Sequence, residues 1–368
     1  MSKKITRVLI VDDSPAMCQF LTEVLSSDPQ LEVLGHALDP FEARGMIKTL
    51  RPDVLTLDVE MPKMDGITFL KNLMRLRPTP VVMVSSLTAA GAEVTLKALS
   101  IGAVDFVVKR HPGGQAELTQ YVDDIVTRVR GAATARLHRP SSTRNTARDP
   151  NFPQWAKKFR SLGQASPGVE KLIAIGASTG GPEAIRAVLA DLNTPNCAVL
   201  VSQHMPARFM GAFAARLNRH SSLTVAEARA GDWIRAGHCY VAPGDIHLEI
   251  CKGAHGLQLK LNDGPACNGH RPSVDVMFKS VARVAGSATF GVLLTGMGRD
   301  GAEGMRSIFD AGGLTFAQDQ QSSAVWSMPG AAVNLGAVDG VLGLGNVGPT
   351  IQQLTGAEVS GQVLESRR

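Results

Sequence analysis

The sequence contains few cysteines, and no two of them are spaced as a CxxC pair. Zinc ribbons and thioredoxin-like redox centres depend on such pairs, so the spacing argues against both classes. One histidine stands beside a cysteine, as His238 and Cys239, but two adjacent ligands do not make a metal site. We therefore expect buried, reduced thiols. The five cysteines are Cys18, Cys197, Cys239, Cys251 and Cys267.

The sequence also lacks a long hydrophobic run. No apolar stretch reaches the ~20 residues that a membrane-spanning helix needs. The N-terminus, MSKKITRVLIVDDS, has a short apolar segment followed by two aspartates, which is typical of a first β-strand and not of a secretory signal. These absences predict a cytoplasmic protein that does not insert into a membrane.

Positive charge is concentrated in one segment of the chain. The net charge is +5, while residues 131–160 alone contain seven Lys or Arg and one Asp, a net +6, so the other residues together carry about −1. Proteins that bind nucleic acid typically present a basic patch on a folded face. The charge distribution therefore predicts no nucleic-acid partner.

The length of 368 residues suits two domains, and both halves have an α/β pattern. Residues 5–130 alternate five strand candidates with five helix candidates, which predicts a parallel sheet covered on both faces. The same alternation resumes near residue 168 and includes a β-hairpin insertion near residues 239–261. The prediction is two doubly wound parallel-sheet domains, with boundaries at 1–130 and 168–362.

Residues 131–167, between the two domains, read as a basic flexible linker because Pro, Ser, Thr, Asn and Arg dominate and no periodicity persists. The stretch FPQWAKKF inside it allows two interpretations. It is either a short docking helix anchored by Trp155 or a solvated tether, and the pattern alone does not decide between them.

Acidic and basic side chains follow the strands of the first domain. Asp12 and Asp13 end its first strand, Asp58 ends the third, Ser85 the fourth and Lys109 the fifth. Because the carboxyl ends of parallel strands share one edge of the sheet, these five side chains should converge. Carboxylates gathered in this way suit Mg²⁺, and a carboxylate can attack phosphorus to form an aspartyl phosphate. Lys109 would pair with the phosphoryl charge and Ser85 would hydrogen-bond a phosphoryl oxygen.

This set resembles the receiver domains of two-component signalling, which have a flavodoxin-like fold. The resemblance implies that Asp58 is the phosphoacceptor and that a histidine kinase supplies the phosphoryl group. It also implies that Asp12, Asp13 and the backbone carbonyl of Glu60 surround Mg²⁺ together with Asp58. The sequence departs from receivers at Arg110, which follows the lysine where they usually have proline, so the conformation of the next loop is not predicted.

The second domain opens with IAIGASTGGPEAI, residues 173–185, where a serine stands among glycines after an apolar strand. A dinucleotide cradle requires a GxGxxG spacing and an acid after the next strand. Gly176, Gly180 and Gly181 have a different spacing, and the next strand ends in His204. The pentapeptide around Ser178 instead matches GxSxG, the strand–turn–helix elbow that exposes a nucleophilic serine.

A catalytic triad follows from this interpretation. His204 ends the second strand, and Asp300 lies in the glycine-rich turn after a later strand, so both should meet Ser178 at one sheet edge. The oxyanion candidates are the backbone N–H groups near Thr179 and Met297. Each triad residue also has a structural reading, as a helix cap or a surface histidine, but three at strand ends favour catalysis.

Arg271 precedes a helix whose N-terminus attracts anions, so it is a candidate for gripping an acidic substrate segment. Ordinary helix capping explains the same residues equally well, and the sequence leaves this choice open.

The motifs IGASTGGPEAI, SQHMP, YVAPGDIHLEI, NDGPACNGHRPSVDVMF, LLTGMGRDGAEGM and SMPGAAV resemble the CheB family of chemotaxis protein-glutamate methylesterases. The resemblance implies a Rossmann-like domain in which Ser178, His204 and Asp300 form the triad, without a cofactor in the esterase site. It implies hydrolysis of glutamate γ-methyl esters on chemoreceptors, with release of methanol, and deamidation of receptor glutamines. It further implies that the unphosphorylated receiver covers the active-site face until Asp58 is phosphorylated.

The sequence favours a phosphorylation-gated hydrolase, which we expect to be a monomer. Two other functions are less well supported. One is a DNA-binding response regulator, although no helix-turn-helix pattern occurs in the second domain. The other is an adaptor without hydrolase activity, against which the complete triad argues.

Overall fold

A computed structural model describes residues 5–86, 88–110, 113–137 and 149–365 of the chain. The chain divides into two compact units, residues 1–137 and residues 138–368.

The N-terminal unit alternates strands with helices, as predicted. Its strands are β1 (Thr6–Val11), β2 (Leu31–Ala37), β3 (Val54–Asp58), β4 (Val81–Ser85) and β5 (Asp105–Val108). Its helices are α1 (Pro15–Ser26), α2 (Pro40–Leu50), α3 (Gly66–Leu76), α4 (Ala89–Ile101) and α5 (Gln115–Ala133).

The five strands form one parallel sheet in the order β2-β1-β3-β4-β5. Every residue of β3, β4 and β5 is buried, because helices cover both faces of the sheet. Four of the helices start at a side chain that accepts a hydrogen bond from an N–H of the first turn, which satisfies a donor the helix cannot pair itself. These N-caps are Ser14, Asp39, Asp65 and Thr88.

The C-terminal unit contains nine strands and seven α-helices within its described residues. The strands are β6 (Lys171–Ala177), β7 (Cys197–Gln203), β8 (Thr224–Glu227), β9 (His238–Val241), β10 (His247–Gly253), β11 (Gly256–Asn262), β12 (Thr289–Leu293), β13 (Leu314–Gln318) and β14 (Gly340–Leu342). The helices are α6 (Phe152–Ser161), α7 (Gly181–Ala190), α8 (Ala207–Arg219), α9 (Val274–Ala285), α10 (Ala302–Asp310), α11 (Ser327–Asn334) and α12 (Leu344–Glu365), with a 3₁₀ turn at Gly286–Ala288.

Seven of these strands form a parallel sheet in the order β14-β13-β12-β6-β7-β9-β8. Strand β6 therefore lies between β12 and β7, and the loops that follow these three strands are neighbours at the carboxyl edge of the sheet. The predicted hairpin is β10–β11, an antiparallel pair outside this sheet. Its predicted start near residue 239 is wrong, because β9 belongs to the main sheet.

The hairpin is fastened to α9, since the Ile250 N–H donates a hydrogen bond to Ser280 Oγ at 3.1 Å. Apolar side chains of β10 and β11, among them Ile250 and Leu259, pack with Met277 and Phe278 of α9 in one buried cluster. This packing brings the loop between β11 and α9 to the carboxyl edge of the sheet.

The predicted linker boundaries are too wide at both ends. Helix α5 continues to Ala133, and residues 149–167 fold onto the C-terminal unit. Trp155 of α6 is 4% exposed, meets Phe316 edge-on at 4.7 Å between ring centroids, and donates from Nε1 to the Asp339 carbonyl. Of the two interpretations of FPQWAKKF, the docking helix is confirmed. Residues 138–148 of the predicted linker lie outside the described residues.

The structure bears on two further predictions, the state of the cysteines and the absence of a membrane-spanning helix. All five cysteines are free thiols; Cys18, Cys197 and Cys239 are buried, and the other two are half-buried. Burial raises the pKa of Cys239, which keeps this thiol protonated. None of the described helices combines the length and the apolar character needed to cross a bilayer.

Candidate functional site

The carboxyl edge of the N-terminal sheet brings together three aspartates and a lysine. One carboxylate oxygen from each of Asp12, Asp13 and Asp58 lies within 4.8 Å of the others. Lys109 Nζ stands 2.9 Å from Asp12 Oδ2 and 2.8 Å from Asp58 Oδ2. Asp12 and Asp58 are buried, whereas Asp13 is exposed. The convergence that the strand ends predicted for these four side chains is therefore present.

Burial of Asp58 raises the pKa of its carboxyl group. The hydrogen bond from Lys109 opposes this rise, and the charge of Asp12 adds to it. Asp58 Oδ1 also accepts a hydrogen bond from the Val59 N–H at 2.7 Å. The carboxylate thus keeps one oxygen on the backbone and directs the other to the lysine.

Glycine is required in the loop that follows Asp58. A Cβ atom on Gly66 would lie 2.0 Å from the Asp58 carbonyl oxygen, and the Gly66 N–H donates to the Val59 carbonyl at 2.9 Å. The loop therefore returns to the strand end that carries Asp58, which fixes the backbone around this carboxylate.

The other predicted receiver residues take different positions. Ser85 is fully buried and its Oγ accepts from Thr95 Oγ1 at 2.8 Å, so its hydroxyl engages a helix and not the Asp58–Lys109 pair. Glu60 is exposed two residues after Asp58. Arg110 places its guanidinium over the Tyr121 ring, 4.7 Å from the centroid, which anchors the residue that follows Lys109.

Ser178 and His204 leave neighbouring strands at the same level. Ala177 of β6 is in register with Gln203 of β7, so Ser178 and His204 are the next residues on the two strands. The Gln203 side chain ties them together, since its Nε2 donates to the Ser178 carbonyl at 3.0 Å and the His204 carbonyl at 3.1 Å. On the other side, the Ser178 N–H donates to the Thr295 carbonyl, in the loop after β12.

The glycines around Ser178 allow close packing. Gly180 adopts a left-handed conformation, with φ at 74°. A Cβ atom on Gly176 would lie 2.2 Å from Val274 Cγ1, and one on Gly181 would lie 2.0 Å from Gln203 Oε1. Side chains at residues 176 and 181 would collide with Val274 and Gln203, which explains why both positions are glycine.

His204 pairs with Asp300 in a nearly water-free environment. The distance from His204 Nε2 to Asp300 Oδ2 is 2.8 Å, and the two residues are 6% and 1% exposed. His204 Nδ1 is buried and has no hydrogen-bond partner within the described residues. One ring nitrogen is therefore committed to the aspartate, and the other is open to accept a proton.

Asp300 receives an unusually complete set of hydrogen bonds at the start of α9. Burial works to raise the pKa of Asp300, but hydrogen bonds and charge from His204, with the bonds from Asn268 and Ser273, hold it well below its usual range. The Val274 N–H also donates to Oδ2 at 2.7 Å. Because Asp300 is ionised and can only accept, His204 Nε2 must carry the proton in this pair.

Two residues beside the pair were missed by sequence reasoning. The His270 ring lies parallel to His204, with centroids 3.7 Å apart and planes 15° apart. Asn268 Nδ2 donates to Asp300 Oδ1 at 2.9 Å and to Asp275 Oδ2 at 2.8 Å. The Asn-Gly dipeptide at residues 268–269 was the only local signal, and it indicates a turn without saying what the turn contacts.

The structure also places three other residues near the site, namely Arg271, Ser273 and Thr179. Arg271 is exposed and its Nη1 donates to the carbonyls of Asp263 and Gly264, so it braces the loop before α9. Ser273 caps α9 and donates from Oγ to Asp300 Oδ1 at 2.7 Å. Thr179 is buried beside Ser178, and its carbonyl accepts from Thr295 Oγ1.

Met297 lies in the turn after β12 that contacts Ser178. The preceding residue, Gly296, is pinned by backbone bonds from its N–H to the Val325 carbonyl and from the Met328 N–H to its own carbonyl. No acceptor for the Met297 N–H exists within the described part of the chain. The Met297 N–H has no protein acceptor there, which keeps it among the oxyanion candidates.

The comparisons with known proteins agree for both units. Residues 173–351 match the family described as CheB methylesterase, and residues 8–123 match the response regulator receiver domain. A protein-glutamate methylesterase/protein-glutamine glutaminase of Xanthomonas oryzae pv. oryzae is 50% identical over 354 residues, covering 95% of this chain and 97% of that protein. A protein of the same description from Salmonella typhimurium is 48% identical over 362 residues, covering 97% and 98%. The Thermotoga maritima CheB methylesterase catalytic domain is 34% identical, covers 50% of this chain and 98% of its own, and has a TM-score of 0.49.

Proposed function

Since the chain belongs to the CheB methylesterase family and carries a response regulator receiver domain, we propose that it is a phosphorylation-activated serine hydrolase of chemotaxis signalling. Its substrates are glutamate γ-methyl esters on chemoreceptors, which it hydrolyses to glutamate and methanol, and specific receptor glutamines, which it deamidates. The observation that carries the proposal is the buried His204–Asp300 pair beside Ser178.

The first half of the reaction follows from the protonation of this pair. The Ser178 hydroxyl would first turn to His204 Nδ1, which has no hydrogen-bond partner in the described structure. His204 Nδ1 then accepts the hydroxyl proton while Oγ attacks the acyl carbon of the side chain. Asp300 accepts from Nε2–H and stabilises the imidazolium that forms. His204 then gives its proton to the departing methoxide or amine, so methanol or ammonia leaves and an acyl-serine ester remains.

The second half regenerates the enzyme. Water replaces the leaving group, gives a proton to His204 Nδ1 and attacks the ester, and the proton returns to Ser178 Oγ as glutamate is released. The oxyanion that forms twice would be held by backbone N–H groups, for which Met297 and Thr179 are the candidates. Arg271 is exposed near this edge and could contact acidic receptor segments. No cofactor is required for any of these steps.

The N-terminal unit would control the hydrolase through an aspartyl phosphate. The Asp58 carboxylate attacks the phosphorus of a histidine kinase phosphohistidine or a small phosphodonor, and the donor group leaves. Asp12, Asp13 and Asp58, with the Glu60 carbonyl, would hold Mg²⁺, whose charge offsets that of the carboxylates and the phosphoryl group. Lys109 would move from the carboxylates to the phosphoryl oxygens, and Ser85 would have to turn from Thr95 to reach them.

We further propose that the protein is a monomer, that it acts in the cytoplasm and that it has no nucleic-acid partner. Chemoreceptors would be its substrates and a histidine kinase its phosphodonor. An adaptor that only accepts phosphoryl groups is the second candidate, because the receiver residues alone would suffice for it.

Methanol release from methyl-esterified receptor membranes tests the proposal, with and without a small phosphodonor and Mg²⁺. Wild type should release methanol, and Ser178→Ala should not. The donor should accelerate wild type and the Asp123→Ala control, which changes an exposed aspartate of α5, but not Asp58→Ala. Equal release by wild type and Ser178→Ala would remove the hydrolase assignment, and donor uptake without any release would favour the adaptor.

A further inference from the structure

Residues 267–270 form a tight turn over the His204–Asp300 pair. The Cys267 N–H donates to the His270 carbonyl at 3.1 Å, and the His270 N–H donates to the Cys267 carbonyl at 3.0 Å. Asn268 and Gly269 both have positive φ, at 54° and 79°, as a two-residue turn of this type requires. We call these four residues the 267–270 turn.

The chain on the C-terminal side of the 267–270 turn is anchored. Arg271 Nη1 donates to the Asp263 and Gly264 carbonyls at 2.8 and 3.0 Å, and the Arg271 carbonyl accepts from the Asp245 N–H at 3.2 Å. The His247 ring accepts a hydrogen bond from the Ser273 N–H at 3.1 Å. The turn is therefore held against the site by contacts from several loops.

Two side chains of the turn contact different residues of the His204–Asp300 pair. His270 stacks on the ring of His204, and Asn268 donates a hydrogen bond to Asp300 Oδ1. Asp300 Oδ2, the other oxygen, is the one that faces His204. One side chain of the turn thus touches the general base, and the other touches the carboxylate that orients it.

These contacts supply constraints that the pair cannot supply itself. A hydrogen bond at a single ring atom, Nε2, does not fix the plane of the imidazole, whereas a parallel ring at 3.7 Å does. Asn268 also bridges two buried carboxylates, because its Nδ2 donates to both Asp275 and Asp300. Asp300 Oδ1 accepts from Ser273 Oγ and the Asp275 N–H as well, so Asn268 is one of three donors that together keep the carboxylate from rotating and leave Oδ2 directed at His204.

We propose that the 267–270 turn is a positioning element of the active site, in which His270 fixes the plane of the His204 ring and Asn268 acts together with Ser273 to hold the Asp300 carboxylate. The proposal rests on the proposed function, in which His204 is the general base. His270 is half-buried and Asn268 is exposed, so neither is a core residue whose removal would leave an enclosed cavity.

The test uses full-length protein with His270→Ala, His270→Phe and Asn268→Gly. His270→Ala should lower kcat by about two- to tenfold, the value of one aromatic stack, with little change in KM. His270→Phe keeps a flat ring and should restore most of kcat. Asn268→Gly keeps the left-handed backbone without strain and should lower kcat by about tenfold, since it removes a hydrogen bond to a charged group.

The control is His255→Ala. His255 is an exposed histidine at the tip of the β10–β11 hairpin, and its ring also contacts an aromatic ring, that of Trp233. It should leave kcat unchanged. Nitrogen-15 NMR of the histidine rings provides a second readout that needs no substrate. Wild type should show His204 as the Nε2–H tautomer, and His270→Ala should show mixed or exchange-broadened tautomers.

The outcomes separate this proposal from the proposed function. If wild type releases no more methanol than Ser178→Ala, the hydrolase assignment fails, and the NMR signals still decide whether the turn orders His204. Unchanged kcat and unchanged His204 signals in His270→Ala would overturn the positioning role. A loss in His270→Ala that His270→Phe does not restore would overturn it too, because the histidine would then act chemically and not as a flat ring.

Discussion

The backbone of Gly296 lies directly against Ser178. A Cβ atom on Gly296 would stand 2.9 Å from Ser178 Cβ and 2.2 Å from Met328 Sδ, both far inside normal contact distance. The turn after β12 can approach Ser178, the proposed nucleophile, this closely only because residue 296 has no side chain. The same turn carries Met297, the candidate oxyanion donor, so a side chain at residue 296 would shift Met297 relative to Ser178.

Gly296→Ala should therefore lower kcat at least tenfold, since the added methyl group must push the turn away from Ser178. Overpacking of this kind also costs about 1–3 kcal/mol in the free energy of unfolding. Steady-state methanol release and urea unfolding measure the two effects. Gly345→Ala is the matched control, because a Cβ at that position meets open space. A Gly296→Ala protein with wild-type kcat would show that the turn need not touch Ser178.

Asp300→Asn should lower kcat by roughly 10⁴, the size of effect seen when an orienting carboxylate becomes an amide. The amide can donate to His204 Nε2, which favours the wrong tautomer and leaves Nδ1 unable to accept the Ser178 proton. Single-turnover deacylation and methanol release both report this loss. Asp232→Asn, at an exposed position, should have wild-type kcat.

Asp300→Asn should also change how the free energy of unfolding depends on pH, in a direction that the pKa of Asp300 predicts. The pKa of Asp300 is lowered in the folded protein, so its ionised form stabilises the fold above the ordinary carboxyl pKa of ~3.9. That contribution disappears as pH falls through the lower, folded pKa. The stability deficit of Asp300→Asn should be full at pH 7 and shrink in acid. A deficit that grows on acidification would contradict the assignment of an ionised Asp300.

The positions of the catalytic candidates were predictable because they depend on strand ends. Ser178, His204 and Asp300 follow β6, β7 and β12, and the sheet places those three strands side by side. Short apolar runs that alternate with helical patterns indicate such strands, and a parallel sheet brings the carboxyl ends of its strands to one edge. Register adds the final detail, because Ala177 opposite Gln203 makes Ser178 and His204 neighbours.

Other parts were not predictable, for physical reasons. Asn268 and His270 reach the pair through a loop braced by Arg271, and such tertiary anchoring leaves no periodic signal. The orientation of the Ser85 hydroxyl toward Thr95 depends on a contact that position in a strand does not reveal.

Asp58→Asn should stabilise the N-terminal unit at pH 7 in the absence of Mg²⁺. Burial raises the pKa of Asp58 in the folded state, so keeping it ionised at neutral pH costs stability. This cost appears as pH rises from the unfolded carboxyl pKa of ~3.9 through the higher, folded value. The gain in thermal stability from Asp58→Asn should therefore be present at pH 7 and vanish near pH 3.

Calorimetry of the full-length protein between pH 3 and pH 8 measures this difference. Added Mg²⁺ should raise the stability of wild type more than that of Asp58→Asn, because the variant lacks one of the three carboxylates. Asp123→Asn, at an exposed position of α5, should follow wild type at every pH. An Asp58→Asn protein less stable than wild type at pH 7 would mean that the Lys109 pair outweighs burial.

Trp155→Ala should destabilise the C-terminal unit by about 3–5 kcal/mol, the usual cost of deleting a buried aromatic side chain. The indole is enclosed by Phe316 and by Gly340, where an added Cβ would lie 2.4 Å from the ring, so the vacated space cannot easily collapse. Urea unfolding with a circular dichroism readout measures the change. Lys157→Ala, two residues away on the exposed face of α6, should leave the free energy of unfolding within ~0.5 kcal/mol of wild type. If both variants unfold like wild type, α6 contributes nothing to the stability of the unit, and the other interpretation of FPQWAKKF, a solvated tether, would be favoured.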